Sequence, residues 1–340
     1  MVAGVKIMKK LASLLLVFVL AVSLCLAISA CNSNKKLIVY LGDSIAEGIL
    51  GASPVSERER YAYASVIGIR NNYIYRNRSV SGHQTKQLLA LIKQDDSDVR
   101  MTQTHLRNAD IIHVSILGND LLQNNLGDLI LDAAKGDTST VDDILDKARE
   151  NFSEIVSVLK GYNPDAALMF QTVYNPMVPE ATLISQDTRD KLSELGIEPG
   201  SYREMAGEIL AKLNGIIHDY LAENPGAYHI IDACAEFQRI YDIDQERGKA
   251  LIFGDYVHPS NEGHAVMADL IQAKLEELGL AKAAPALRRY KKLRNQQIKE
   301  LYSNSVNVRA VKKQIRKAKT DSEVTEIYFR AIKGKSPEYV

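Results

Sequence analysis

The sequence predicts an α/β protein: a three-layer α/β/α sandwich on a mainly parallel five-stranded sheet, followed by a C-terminal helical extension. Three observations predict it. Short apolar, β-branched runs alternate along the chain with stretches of helical period. Hairpin signals between those runs are few, which favours crossover connections and parallel strands. Polar clusters carrying glycine stand where the runs end, at the sheet edge where open parallel sheets gather their reactive groups.

Taken in order, strand-like runs occupy 37–41, 73–75, 111–116, 167–173 and 229–231. Helical period appears over 86–92, 141–159, 202–221 and 265–278, and in the second of these Ile144, Ala148, Phe152, Ile155 and Leu159 share one face. The 175–201 stretch is long for a strand-to-helix connection and mixes Met177, Val178, Leu183 and Ile184 with polar residues. It reads equally as a lid or substrate wall and as a surface excursion packed by its own side chains. From Pro285 three short amphipathic patterns follow, marked by Leu287, Tyr290, Leu293 and Leu301, then Val308, Val311, Ile315 and Ala318, then Val324, Ile327, Tyr328 and Ala331. Thr320 with Glu323 reads as the capping box of the third.

The N-terminus is a compartment signal. Lys6, Lys9 and Lys10 precede an apolar run over 11–30, then Cys31 and a polar stretch. Positive, apolar, then small residues at a cut site is the layout of a secretory leader, and Ile28-Ser29-Ala30-Cys31 resembles a bacterial lipobox, in which the cysteine is lipidated. The competing reading is a single transmembrane anchor. Both put the body outside the cytoplasm and tether it to a membrane. The expected division is a lipoprotein signal peptide over 1–30, a tether over 31–36, a catalytic body over 37–281 and a basic helical extension over 285–340. With Cys25 removed and Cys31 lipidated, Cys234 stands alone, so no intrachain disulfide or cysteine-based metal site is available. The chain is neutral overall, yet from Lys282 onward sixteen Lys/Arg face five Asp/Glu, leaving the remainder acidic. That tail reads either as a helical layer packed on the acidic body or as a surface for an anionic membrane. Nucleic acid is not expected as a partner of an exported chain.

The strand exits carry the chemistry. The first run ends in Gly42-Asp43-Ser44, a strand-to-helix turn that exposes a hydroxyl and a free helix N-terminal N–H, although all three residues also suit an ordinary turn. A serine needs a base within hydrogen-bond reach. Among seven histidines His258 suits best, because Asp255 lies three residues before it and in a tight loop can hold one ring nitrogen while the other faces Ser44. A helix cap beside a surface histidine is the plainer reading of that pair. Gly82, after the second run, offers an unobstructed backbone N–H, and Asn119, after the third, an amide donor. With the Ser44 N–H these make three donors for a developing oxyanion. His83 and His264 read as a loop residue and a first-turn helix residue, and Asp120 as a carboxylate bonded to backbone. Asp43, Asp120 and His258 lack metal-ligand spacing, so no metal or other cofactor is expected.

Together these clusters resemble the SGNH, or GDSL, hydrolase superfamily over roughly 37–278. Gly-Asp-Ser at 42–44 matches its first block, Gly82 the second, Asn119-Asp120 the third and Asp255-x-x-His258 the last, in the same order. Tyr174-Asn175-Pro176 and the approach Asn108-Ala109-Asp110-Ile111-Ile112 are similar to its bacterial lipase/acylhydrolase members. The resemblance implies an SGNH, flavodoxin-like fold, Ser44 as nucleophile, His258 as base, Asp255 as its orienter, and an oxyanion hole from the N–H groups of Ser44 and Gly82 with the side chain of Asn119. One departure stands out: the family usually has glycine two residues before the asparagine, and Leu117 is there instead, expected to narrow the pocket or displace Asn119. The implied activity is hydrolysis of carboxylic esters, lipid acyl or acetyl, by a tethered esterase whose partners are a small ester and a membrane. The rivals are a non-catalytic lipoprotein of the same fold that binds a glycan or lipid and, more distantly, a metal-dependent phosphoesterase.

Overall fold

The computed structural model describes residues 35–50, 55–95 and 101–338; the stretch expected to be a leader and Cys31 lie outside them. Residues 37–340 form one compact unit. Its five strands, β1 (Leu37–Gly42), β2 (Ile74–Asn77), β3 (Ile111–Ser115), β4 (Ala167–Gln171) and β5 (His229–Ile231), pair in the order β2-β1-β3-β4-β5, every pairing parallel. The helices that matter for the site and its surroundings are α1 (Ser44–Glu47), α2 (Tyr63–Asn71), α3 (Gly118–Leu122), α4 (Ser139–Tyr162), α5 (Tyr202–Glu223), α6 (Asn261–Glu277), α7 (Ala283–Leu301), α8 (Val308–Lys317) and α9 (Asp321–Ile332).

Strand periodicity divides the apolar residues between two cores. Val39, Leu41, Ile112, Val114, Leu168 and Phe170 face one side and meet Phe152, Ile155 and Leu159 of α4 and Leu213 and Ile217 of α5. Ile38, Tyr40, Ile111 and Met169 face the other side and meet α2 and α6. Tyr290, Ile298, Leu301, Val311, Ile315, Val324 and Tyr328 of α7, α8 and α9 join that second core, so the basic tail is a further layer packed on the body. Polar bonds seal the seam: the fully buried Arg70 reaches Asp269 at 2.6 Å and Asp321 at 3.6 Å with Tyr290 stacked on it, and Thr325 donates to Asp269 at 2.7 Å.

Most element ends fall within a few residues of expectation, and three details differ for a physical reason. β2 starts one residue later and runs to Asn77, because its partner β1 sets the register, Leu37 opposite Ile74 through Tyr40 opposite Asn77. The 175–201 connection contains a helix, Gln186–Glu194, capped by Ser185, and a short 3-10 turn, and it buries Met177, Val178 and Ile184 in the first core. In the third tail helix the Thr320 hydroxyl accepts from the Glu323 N–H at 3.1 Å, but the Glu323 carboxylate reaches back to the Lys319 N–H instead of closing the box on Thr320.

Candidate active site

The chain leaves β1 for β2 on one side of it and then returns to β3 on the other, so the strand order reverses at β1, and the crevice beyond its carboxyl end is the point where ligands settle in such sheets. The Gly-Asp-Ser turn lies there. Gly42 adopts φ +142°, and a Cβ on it would stand 1.8 Å from the Ser115 carbonyl oxygen, so only glycine lets β1 pass β3 this closely before turning. Asp43 caps α1 by accepting the Ile45 N–H at 2.9 Å. Ser44, the first residue of α1, keeps a backbone N–H with no acceptor inside the helix. Burial pushes the Asp43 carboxyl up to about 7 against the opposing pull of the backbone N–H groups it accepts.

The base arrives on a hairpin-like loop between residues 252 and 260. Ile252 and Pro259 bridge it, and the Phe253 N–H donates to the His258 carbonyl at 2.8 Å. Inside, one oxygen of Asp255 accepts the N–H groups of Val257 and His258, each at 3.0 Å, and its other oxygen meets His258 Nδ1 at 2.7 Å. Nε2 of the same ring lies 2.9 Å from Ser44 Oγ, across 214 positions of sequence. Burial raises the Asp255 carboxyl, but the His258 and Val257 N–H groups and the imidazole outweigh it, and the net position is below the usual carboxylate range. Asp255 thus serves both as the cap of the turn and as the partner of the imidazole.

The opposite rim is laced between the loop after β2 and the short helix α3. A Cβ on Gly82 would meet only Gln123 Nε2, at an ordinary 3.8 Å, so its backbone at φ +80° and not crowding calls for glycine. Gln123 Nε2 donates to the Gly82 carbonyl at 2.5 Å, and Asn119 Nδ2 to the His83 carbonyl at 3.1 Å, leaving Asn119 a second amide hydrogen. Glu47 holds the same loop by accepting the Ser81 N–H at 2.8 Å and is itself paired with Arg58. Asp120 accepts the hydroxyl and N–H of Thr85 at 2.7 and 3.1 Å. His264 is buried on α6, one ring nitrogen 3.1 Å from the Ile49 carbonyl oxygen. Among the described residues no group of three or more His, Cys, Asp or Glu could hold a metal ion.

Leu117 behaves differently from expectation. It does not line the recess beside Ser44, whereas Asn119 does. Its side chain is buried in the first core while its backbone takes φ +93°, a left-handed conformation that glycine adopts freely and leucine only with strain.

Sequence reasoning did not assign roles to Tyr174 or Gln123. The Tyr174 hydroxyl donates to the Val257 carbonyl at 2.5 Å, its ring stacks on Phe237 with centroids 4.6 Å apart, and it walls the recess beside Ser44. The Tyr174-Asn175-Pro176 signal was visible, but which loop the tyrosine would meet depends on the fold. The recess has a cavity volume of about 40 Å³, and apart from Asp43, Ser44 and Asn119 its walls are mainly apolar, with Leu121, Leu122, Leu126, Pro176 and Leu210 prominent.

No curated protein sequence matches the chain. Among solved structures it resembles phospholipase A1 from Streptomyces albidoflavus NA297, with 17% identity, 71% of this chain and 99% of that one covered, and a TM-score of 0.52. It also resembles the lipase Lip_vut3 from a goat rumen metagenome, with 19% identity, 70% and 97% coverage, and a TM-score of 0.49. An acetyl xylan esterase aligns at 15% identity over 70% of this chain and 99% of its own, with a TM-score of 0.46. The profile of the GDSL-like lipase/acylhydrolase family matches residues 40–266, well over half of the chain. With that match, the chain belongs to the GDSL-like lipase/acylhydrolase family and is a hydrolase of the lipase/esterase type.

Proposed function

We propose that this chain is a membrane-tethered, extracytoplasmic serine esterase that cleaves carboxylic esters of short apolar acyl groups through an acyl-enzyme. The observation that carries the proposal is the unbroken relay Asp255–His258–Ser44, with contacts of 2.7 and 2.9 Å. In the first half-reaction Ser44 Oγ attacks the ester carbonyl as its proton passes to His258 Nε2. Asp255 holds the ring and stabilises the imidazolium. The oxyanion is received by the N–H groups of Ser44 and Gly82 and the free amide hydrogen of Asn119. Collapse expels the alcohol, which takes the proton from His258. Water then attacks the acyl-serine by the same route in reverse.

The apolar lining of the recess supports an alkyl-bearing acyl group over a polar acetylated sugar face, and its size supports a short one: about 40 Å³ is a few times the roughly 10–15 Å³ that one water needs. Tethering is supported by the leader pattern and Cys31. The test is hydrolysis of p-nitrophenyl esters. Butyrate should be cut faster than palmitate, Ser44→Ala should abolish the activity, and Leu122→Ala should shift preference toward longer chains. A fluorophosphonate that fails to label Ser44, alongside tight glycan or lipid binding, would replace the esterase with a binding lipoprotein of the same fold. Cys31→Ser should release the protein from the membrane fraction; retention there would overturn the lipid tether.

A further inference from the structure

We infer that the basic face shared by α7 and α8 docks on the anionic headgroups of a phospholipid surface. The inference rests on the reading above that the chain works at a membrane. α7 and α8 spend their apolar residues on the second core, Tyr290, Ile298 and Leu301 from one helix and Val311 and Ile315 from the other. Apart from Arg294, which is buried, most of their bases are left on the outer side. Between the helices runs a groove of about 840 Å³ lined by Arg288, Lys292, Lys299, Lys312 and Arg316, with Glu300 as its one acid. Among the described residues none of these five cations pairs with a carboxylate. On the body, by contrast, Lys93, Arg149, Lys191 and Arg239 each have an acidic partner.

The groove is a fixed surface. Lys291, its sixth base, donates to the carbonyl of Arg316 at 3.2 Å and to that of Ala318, which ties α7 to the end of α8. Arg309, Lys313 and Lys317 are exposed on α8 and extend the positive field. Holding so many like charges on one rigid face is self-repulsive and is relieved by a dense array of anions. Clusters of four to eight Lys/Arg on an amphipathic helix are the usual footprint of anionic lipid. A nucleic acid fits less well, because the groove lining contains no aromatic side chain on which a base could stack.

Lysine acetylation footprinting of the full chain, read by mass spectrometry, tests the inference. The chain is mixed with vesicles of phosphatidylcholine alone or of phosphatidylcholine with phosphatidylglycerol. Lys292, Lys299, Lys312 and Lys313 should react roughly threefold or more slowly on the anionic vesicles, with the protection lost in high salt. Lys147 and Lys191 on the body should react equally on both. The quadruple variant Lys292→Glu, Lys299→Glu, Lys312→Glu, Arg316→Glu should lose the remaining protection, at Lys313, while hydrolysing soluble p-nitrophenyl butyrate like the parent. Equal rates on both vesicle types, protection that survives in the variant, or protection by DNA or polyphosphate but not by vesicles would each overturn it. Ser44→Ala separates the two readings, since it should abolish hydrolysis and leave the footprint intact.

Discussion

The two rims of Ser44 are built by different means. The base rim is local: Asp255 caps its own turn and holds the imidazole three residues on, inside a loop closed by the Ile252–Pro259 bridge. The donor rim is distributed. Gly82 comes from a loop and Asn119 from the first turn of α3, more than thirty positions on, and side-chain-to-backbone bonds from Gln123 and Asn119 hold them together. It also contains Leu117, a bulky residue at positive φ. A local device needs one short stretch of chain to be right, whereas a distributed one depends on the whole sheet placing two loops in register.

The largest effect should come where the two rims meet. Ser44→Ala is expected to lower kcat by about 10⁴-fold or more, and His258→Ala comparably, because the two act as a unit. A variant retaining a tenth of the parent rate would break the idea of a single relay. Next comes Asp43, which caps α1 beneath both rims. Its carboxyl is raised from 3.8 to about 7 by burial, so its contribution to stability is fully present below pH 3.8 and is lost as pH rises through about 7. A displacement of that size is worth up to about 4 kcal/mol. Urea unfolding should therefore show the parent losing stability relative to Asp43→Asn between the acidic and alkaline ends of that window; parallel pH profiles would show that Asp43 does not carry the proton.

Asn119→Ala should cost about 2.7–4 kcal/mol of transition-state stabilisation, read as a fall in kcat with KM nearly constant. A change in KM alone would make Asn119 a strut of the donor rim and not a donor. On the base rim, Tyr174→Phe keeps the ring that stacks on Phe237 and loses only the bond to the Val257 carbonyl. A roughly tenfold drop in kcat with unchanged KM is expected from a looser imidazole. The smallest effect tests the strain at Leu117. Glycine is ordinarily the worse replacement for a buried leucine, yet here Leu117→Gly should be less destabilising than Leu117→Ala by about 1 kcal/mol, because alanine keeps the strain and glycine releases it. Thermal melts of the two variants decide it.

Much of the molecule could be read before any coordinates. The alternation of apolar runs and helical patterns determined an α/β sheet, since periods of 2 and 3.6 are properties of neighbouring residues. The blocks around Ser44, Asn119 and His258 could be singled out as candidates for the same reason, and the contact of Asp255 with His258 was legible because three residues of separation suffice for it. What only the tertiary structure decided is long-range. It set that Tyr174 grips the Val257 carbonyl, that Gln123 and Asn119 brace the 82–83 loop, and that Leu117 turns into the core and bears a strained backbone. It also set that the basic tail packs as a further layer on α2 and α6 through Arg70, Tyr290 and Thr325. No local pattern encodes these contacts, because each requires two distant stretches to have been placed first by the packing of a common core.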